Sequence, residues 1–189
     1  MTETTTSLVG KLLVAMPDMA DPRFANSVIY MCAHSGEGGM GLIVNKPQKE
    51  ISFDKLMAQM DIPLPKGRPA IEVHFGGPVE QHRGFVLHSN DYAADGGTLD
   101  VDETIRMTAT LQVLEDIAKG QGPAVSMLAL GYSGWGPGQL EYEIGQNGWL
   151  TCPASDKIIF GTENDRKWSA ALKEMGIDPL LLSATAGRA

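Results

Sequence analysis

Residues 27–45 read Ser27-Val28-Ile29-Tyr30-Met31-Cys32-Ala33-His34-Ser35-Gly36-Glu37-Gly38-Gly39-Met40-Gly41-Leu42-Ile43-Val44-Asn45. Ser27–His34 is rich in β-branched and aromatic residues, a composition that suits a pleated, half-buried surface. Met40–Asn45 returns as a second apolar run. Between them, Ser35–Gly39 holds three glycines in five residues. A connection so short cannot carry a crossover helix, so the two runs are predicted to pair antiparallel as a hairpin. The pattern recurs downstream. Ile71–Phe75 and Gly84–His88 read as strands separated by the Gly76-Gly77-Pro78 turn. A parallel dinucleotide-binding fold needs a helix in each of these connections, and neither has room for one. The fold class expected is therefore α+β: a complex mixed sheet with hairpin-paired strands and about three to five helices, in a single compact unit.

Working outward, Lys11–Met16 reads as a strand stopped by Pro17 and by Asp21-Pro22. Ser52 opens a helix to Met60: it is an N-cap type, Asp54 follows in the first turn, and Phe53, Leu56, Met57 and Met60 share a face. Pro63 and Pro65 end it. Residues 89–100 are polar and glycine-rich and read as an excursion or linker. Thr104–Met107 reads as a strand. Leu111–Lys119 reads as a helix with Leu111, Leu114 and Ile117 on one face and Gly120 as its stop. Ala124–Leu130, an unbroken apolar run between Pro123 and Gly131, is expected as the central buried strand. Gln139–Gln146 reads as a short helix, and Trp149–Cys152 and Lys157–Phe160 as two strands. Asp165–Met175 is a helix with Trp168, Leu172 and Met175 aligned, Asn164 placed to cap it and Gly176 following.

The chain has 189 residues, of which 43% are hydrophobic, enough to bury a core as one domain over residues 1–189. Twenty-three acids against 15 bases give a net charge of -8, which argues against direct DNA binding through a broad basic face. Residues 46–68 hold Lys46, Lys49, Lys55, Lys66 and Arg68 against Glu50, Asp54 and Asp61, and read as a solvated face. The acidic residues of 91–103 lack the pattern of a calcium loop. Cys32 and Cys152 read as reduced core thiols. The Thr-rich start lacks the basic residues and long apolar run of a secretory signal, and no window reaches membrane-spanning length. A cytoplasmic protein with no membrane contact is expected, with flexible tails at 1–8 and 184–189.

The most unusual segment is Gly131-Tyr132-Ser133-Gly134-Trp135-Gly136-Pro137-Gly138-Gln139, between an apolar strand and a helix. Strand, glycine-rich loop and helix together can bind an anion on backbone N–H groups. The spacing matches neither G-x-x-x-x-G-K-[ST] nor G-x-G-x-x-G, and G-x-S-x-G fails at Trp135. The competing reading is a tight turn with Trp135 packed on the sheet. A second segment joins Gly76-Gly77-Pro78 to Arg83 and to His88, where alternation sets Val86 and His88 on one face and Phe85 and Leu87 on the other. Arg83 can pair with Glu80 or fork onto an anionic ligand. Cys32 and His34, two apart, would need His74, His82, His88 or Cys152 to converge before a metal could bind. No C-x-x-C or H-E-x-x-H occurs, so no metal or other cofactor is expected. Glu141 and Glu143 read as surface acids.

Several of these stretches together resemble the AlgH/YqgE family of bacterial proteins. They are Gly10–Pro17, Asp21–Phe24, Ser27–Tyr30, Met40–Pro47, Phe75–Val79, Arg83–Ser89, Leu130–Glu141, Asn147–Leu150 and the final helix with Trp168. The resemblance covers nearly the whole chain in the family's order. It implies one α+β unit of complex topology with a small inserted α/β portion, which residues 89–123 would supply. One of the family's names reflects a reputed role in regulating alginate synthesis. The resemblance implies no established reaction, cofactor or catalytic residue. Ala33 and Gly39 depart from the family's usual pattern, and Arg188 stands where a near-terminal histidine is common.

The function expected is that of a regulatory or ligand-binding protein without a reaction. Its candidate binding residues are Gly76, Gly77, Arg83, His88, Gly134, Trp135, Gly136 and Gln139, which would line a cleft for a small anionic ligand if the two glycine-rich segments meet. The alternative is a hydrolase or transferase working in a cleft of the 76–88 and 131–149 segments, with Cys32, Ser133, Glu141 or His88 as candidate groups. Any regulatory effect is expected to run through a protein partner, since no helix-turn-helix pattern is present.

Overall fold

A computed structural model describes residues 6–66 and 71–182. The hairpin forms as the sequence dictates. β2 (Val28–Ser35) and β3 (Gly38–Ile43) pair antiparallel from Ile29 opposite Ile43 to Ser35 opposite Gly38, which leaves Gly36-Glu37 as the two-residue turn. β1 (Lys11–Ala15) lies antiparallel to β2 and, on its other edge, to β9 (Trp149–Pro153).

The second half of the sheet is built on β8 (Ser126–Trp135). One edge of β8 pairs antiparallel with β5 (Val79–Ser89). The other edge is shared. Leu128–Leu130 pair in parallel with β4 (Val73–Phe75), and Ser133–Trp135 pair antiparallel with β3. β7 (Ile105–Thr108) follows β5, and β6 (Thr98–Asp100) closes that edge. The sheet order is β6-β7-β5-β8-β3-β2-β1-β9, a mixed sheet because β4 alone runs parallel to its partner.

The sheet curls, and its inner face holds the main core. Leu12, Val14, Tyr30, Leu42, Phe85, Leu87 and Met127 pack there with Ala171 and Leu172 of α4 (Asn164–Glu174). The outer face is covered in two places. α3 (Gln139–Gly145) seals Leu13, Ala15, Ile29, Met31 and Ile43. α1 (Phe53–Gln59) and α2 (Leu111–Lys119) seal Val73, Val86, Leu128 and Leu130. Both faces of these strands are therefore dry, which is why their sequences are unbroken apolar runs rather than alternating ones. The Ser52 Oγ accepts the Lys55 N–H as the α1 cap, and Gly120 ends α2 in the left-handed region at φ 79°. The expected α+β fold with hairpin-paired strands is the one observed.

Five local expectations are corrected. The strands on either side of Gly76-Gly77-Pro78 do not form a second hairpin, because β4 and β5 pair with opposite edges of β8, β4 in parallel and β5 antiparallel. The glycine-rich segment after Leu130 is not a loop, because β8 continues through it to Trp135. Gly131, at φ 74°, is the bend at which β8 changes neighbours from β4 to β3. Lys157–Gly161 is a single π-helical turn, not a strand; Ile158 and Ile159 are both buried, and a strand would have sent adjacent side chains to opposite faces. Within 89–100, Thr98–Asp100 is a strand, because β7 offers it a pairing edge. Glu163, not Asn164, holds the N-cap position of α4, since the Asn164 side chain is drawn to His74.

Residues 89–123 supply β6, β7 and α2. Of the tails expected at 1–8 and 184–189, residues 1–5 and 184–189 lie outside the described residues, as do Arg68 and Arg188. Leu8 is held, its N–H donating to His34 Nδ1 at 3.0 Å. Among the described residues, no helix is long and apolar enough to cross a membrane.

Candidate functional site

β8 makes the site. Alternation along its last turn of pleat sends Tyr132 and Gly134 to one face and Ser133 and Trp135 to the other. Gly134 has no side chain, so a trough opens above it between Met40 of β3 and Val79 of β5. The resulting open groove has a volume of about 520 Å3. Its floor is aromatic: the Phe85 and Tyr132 rings meet edge to face, with centroids 5.7 Å apart. Arg83 stands at its rim with the guanidinium carbon 5.2 Å from the Phe85 centroid. Arg83 Nη1 reaches Glu80 Oε2 at 3.5 Å, but both side chains are more than half exposed. Such a pair is worth at most about 1 kcal/mol, so a ligand carboxylate can replace Glu80 at little cost.

Trp135 borders the groove while its indole turns to the opposite face, edge-on to Trp149 with centroids 6.2 Å apart. There Glu143 of α3 accepts three donors: Trp135 Nε1 at 2.8 Å, Trp149 Nε1 at 3.0 Å and Gln139 Nε2 at 3.2 Å. Gln139 Oε1 accepts the Gly136 N–H at 3.0 Å. Two residues before Glu143 on α3, Glu141 Oε1 takes a 2.6 Å bond from His34 Nε2. Because His34 Nδ1 accepts from Leu8, its proton sits on Nε2. Glu141 is held below the usual carboxylate range by its own backbone N–H and by His34. The two acids read as surface groups are thus a clamp and a pin for the groove's back wall.

The structure brings Arg83 and Gly134 together, with Trp135 at the border and Gly136 and Gln139 behind it. Gly76, Gly77 and His88 lie elsewhere. Gly76 and Gly77 are buried against the β8 backbone, where Gly76 N–H donates to Leu130 O at 2.8 Å. His88 is fully buried, Nδ1–H donating to Ser89 O and Nε2 accepting from Thr108 Oγ1, both at 2.7 Å. Thr98 Oγ1 continues that chain to Thr108 at 2.8 Å.

Burial holds His88 below its ordinary value of 6.5, and burial followed by the nearby Lys167 charge does the same to His74. The unfolded chain takes up these protons near 6.5, the folded protein only below it. Stability from these groups is therefore complete above about pH 6.5 and is lost as the pH falls below it, by at most about 1.4 kcal/mol per pH unit for each histidine. Urea titrations at about pH 7.5 and about pH 5.5 should show a lower midpoint in acid. Equal midpoints would contradict this assignment.

The groups named for a hydrolase or transferase are all engaged structurally. Burial pushes the Cys32 thiol up to about 12, and its Sγ lies 3.8 Å from Tyr30 O. Ser133, fully buried, donates to Gly76 O at 3.1 Å. Glu141 holds His34, and His88 holds Thr108. Among the described residues, no group of three or more His, Cys, Asp or Glu is arranged to hold a metal ion.

The glutamate clamp and the buried His74 and Lys167 were not foreseen as features from sequence. The available signal was helical spacing: Asn164, Lys167 and Ala171 fall at i, i+3 and i+7, which sets a lysine on the buried side of α4.

The sequence profile of the AlgH-like family matches residues 12–180. A UPF0301 protein of Jannaschia sp. is 55% identical over 190 residues, covering 100% of this chain and 99% of that protein. One from Ruegeria pomeroyi is 58% identical over 183 residues, covering 96% of this chain and 99% of its own. The solution structure of the AlgH protein from Pseudomonas aeruginosa superposes with a TM-score of 0.80 at 41% identity, covering 100% of both chains. A crystal structure from Corynebacterium diphtheriae, 21% identical, shares the fold with a TM-score of 0.72 over 94% of this chain and 91% of that one. Profile, relatives and fold agree from β1 to the end of α4: the chain belongs to the AlgH-like family.

Proposed function

We propose that the protein acts by binding rather than by catalysis, and that the groove over Gly134 takes a small anionic ligand with an apolar body. The observation that carries this reading is the exposed Arg83 guanidinium stacked on Phe85 at the rim of an aromatic floor. An arginine so placed offers a fork to a carboxylate, sulfonate or phosphate while the floor takes the apolar part. Three of the groups considered for catalysis, Ser133, Glu141 and His88, are already bonded to structural partners. A regulatory role would follow from ligand occupancy altering the contact of this face with a protein partner. The net charge of -8 disfavours DNA as that partner. The compartment we assign is the cytoplasm, which suits two buried, unpaired cysteines.

Anilinonaphthalene sulfonate, an aromatic anion, is a direct probe. The wild-type groove is expected to bind it with enhanced fluorescence. Arg83→Ala should weaken binding about tenfold, the loss of one charge-assisted contact. Gly134→Leu should abolish it by filling the trough. Unchanged affinity in both variants would rule the groove out as the site.

A further inference from the structure

A second pocket, of about 280 Å3, lies between β4, the π-helical turn and the first turn of α4. Its inner end is cationic. Lys167 is 3% exposed, and its Nζ donates to Val44 O at 2.7 Å. An ammonium has three donors, and none of the ion pairs among the described residues includes Lys167. A buried charge held by one carbonyl and no carboxylate is costly to keep, and burial pushes its basicity down to about 8, so the ammonium form still prevails at neutral pH.

The neighbouring groups add no negative charge inside. His74 is 5% exposed and neutral: Nδ1–H donates to Leu128 O at 3.1 Å, and Nε2 accepts from Asn164 Nδ2 at 3.0 Å. Asn164 is thereby taken from capping α4, and Glu163 does not cap it either, so the start of α4, which borders the pocket, has no side-chain acceptor for its first-turn N–H groups. The lining carboxylates are Glu72 and Glu163, and both are exposed. Glu163 also reaches Arg166 Nε at 3.7 Å, an exposed pair worth at most about 1 kcal/mol that a ligand ammonium can replace. The pocket is thus positive within and carries carboxylates at its solvent edge. A simple anion would be repelled on entry, and a simple cation would find a cation inside. A molecule carrying both charges meets its complement at each end.

We propose that this pocket binds a small amino-carboxylate zwitterion, an α- or ω-amino acid, with its carboxylate on Lys167 and its ammonium toward Glu72 and Glu163. This site is separate from the Arg83 groove and does not depend on it.

The test is calorimetric titration of the full chain with glycine, L-alanine, β-alanine and γ-aminobutyrate, with acetate and methylamine as single-charge controls. At least one zwitterion should bind at least about tenfold tighter than acetate. Lys167→Met should weaken that binding at least about thirtyfold. Glu72→Gln with Glu163→Gln, which leaves the buried lysine untouched, should weaken zwitterion binding about fivefold or more without weakening acetate. Arg83→Ala should leave it unchanged. Near-UV circular dichroism reports whether Lys167→Met is folded, and the double Glu→Gln variant decides the matter if it is not. Absence of binding by all four amino acids up to about 10 mM would overturn the proposal. So would binding that survives both sets of substitutions, or acetate binding as tightly as the best zwitterion.

Discussion

Replacing Gly131 by alanine is expected to destabilise the protein by at least about 4 kcal/mol, and to leave little of it folded. Two independent costs meet at this residue. Its backbone is left-handed at φ +74°, which costs any residue with a Cβ about 1–2 kcal/mol. The added Cβ would then lie 2.3 Å from Gly77 O, 3.0 Å from Val79 O and 3.2 Å from Gln81 Cα. All three are backbone atoms, Gly77 in the connection between β4 and β5 and Val79 and Gln81 in β5 itself, so no side-chain rotation relieves the contact. Gly77→Ala should behave alike, since its Cβ would fall 2.1 Å from Tyr132 C at φ +154°. Gly134→Ala is the internal control. Its Cβ meets side chains alone, the Tyr132 ring at 3.3 Å and Val79 Cγ2 at 4.0 Å, and should cost less than about 1 kcal/mol. Urea unfolding of the three variants makes the measurement. A Gly131→Ala protein with a near wild-type midpoint would mean that the crossing of these two segments is misplaced.

Glu143→Ala should cost about 3 kcal/mol and shift tryptophan emission to the red. The carboxylate accepts from two indole N–H groups whose residues, Trp135 and Trp149, are 7% and 3% exposed. Removing it strands both donors, at about 1–3 kcal/mol for each one that water cannot reach. It also frees Gln139, and with it the Gly136 N–H. Glu143→Gln keeps one acceptor oxygen and should fall between wild type and Glu143→Ala. Trp168 is the built-in reference, because its Nε1–H donates to Ala15 O on the other side of the sheet. Unchanged emission with an unchanged unfolding midpoint would show that the clamp does not form in solution.

What the sequence made legible was what neighbouring residues decide. The 27–45 hairpin follows from two apolar runs and a glycine turn too short for any other connection. Leu111–Lys119 is bounded as its periodicity and Gly120 require. What stayed hidden was settled by distant partners. Gly131 and Gly134 permit a loop or a strand equally, and only the carbonyls of Gly77 and Val79 and the edge of β3 choose the strand. Ile158-Ile159-Phe160 has strand composition, but the core beneath it takes two adjacent isoleucines at once. Of the residues named for binding, Arg83, Gly134 and Trp135 meet because β5 and β8 pair. His88 misses them because pleat alternation sends it with Val86 to the face opposite Phe85, beside Tyr92, an alternation that the sequence displayed.

The order of the strands also governs how the chain reaches this state. β1, close to the start of the chain, completes its outer edge only with β9, which pairs Lys11 with Pro153 and Ala15 with Trp149. During synthesis, β1 and the β2–β3 hairpin emerge early, and the outer edge of β1 must wait until β9 has left the ribosome. Closing a contact over that separation is entropically expensive and slow. The nascent protein is therefore exposed to chaperone capture and to strand exchange along β1 until β9 arrives at an edge made long before.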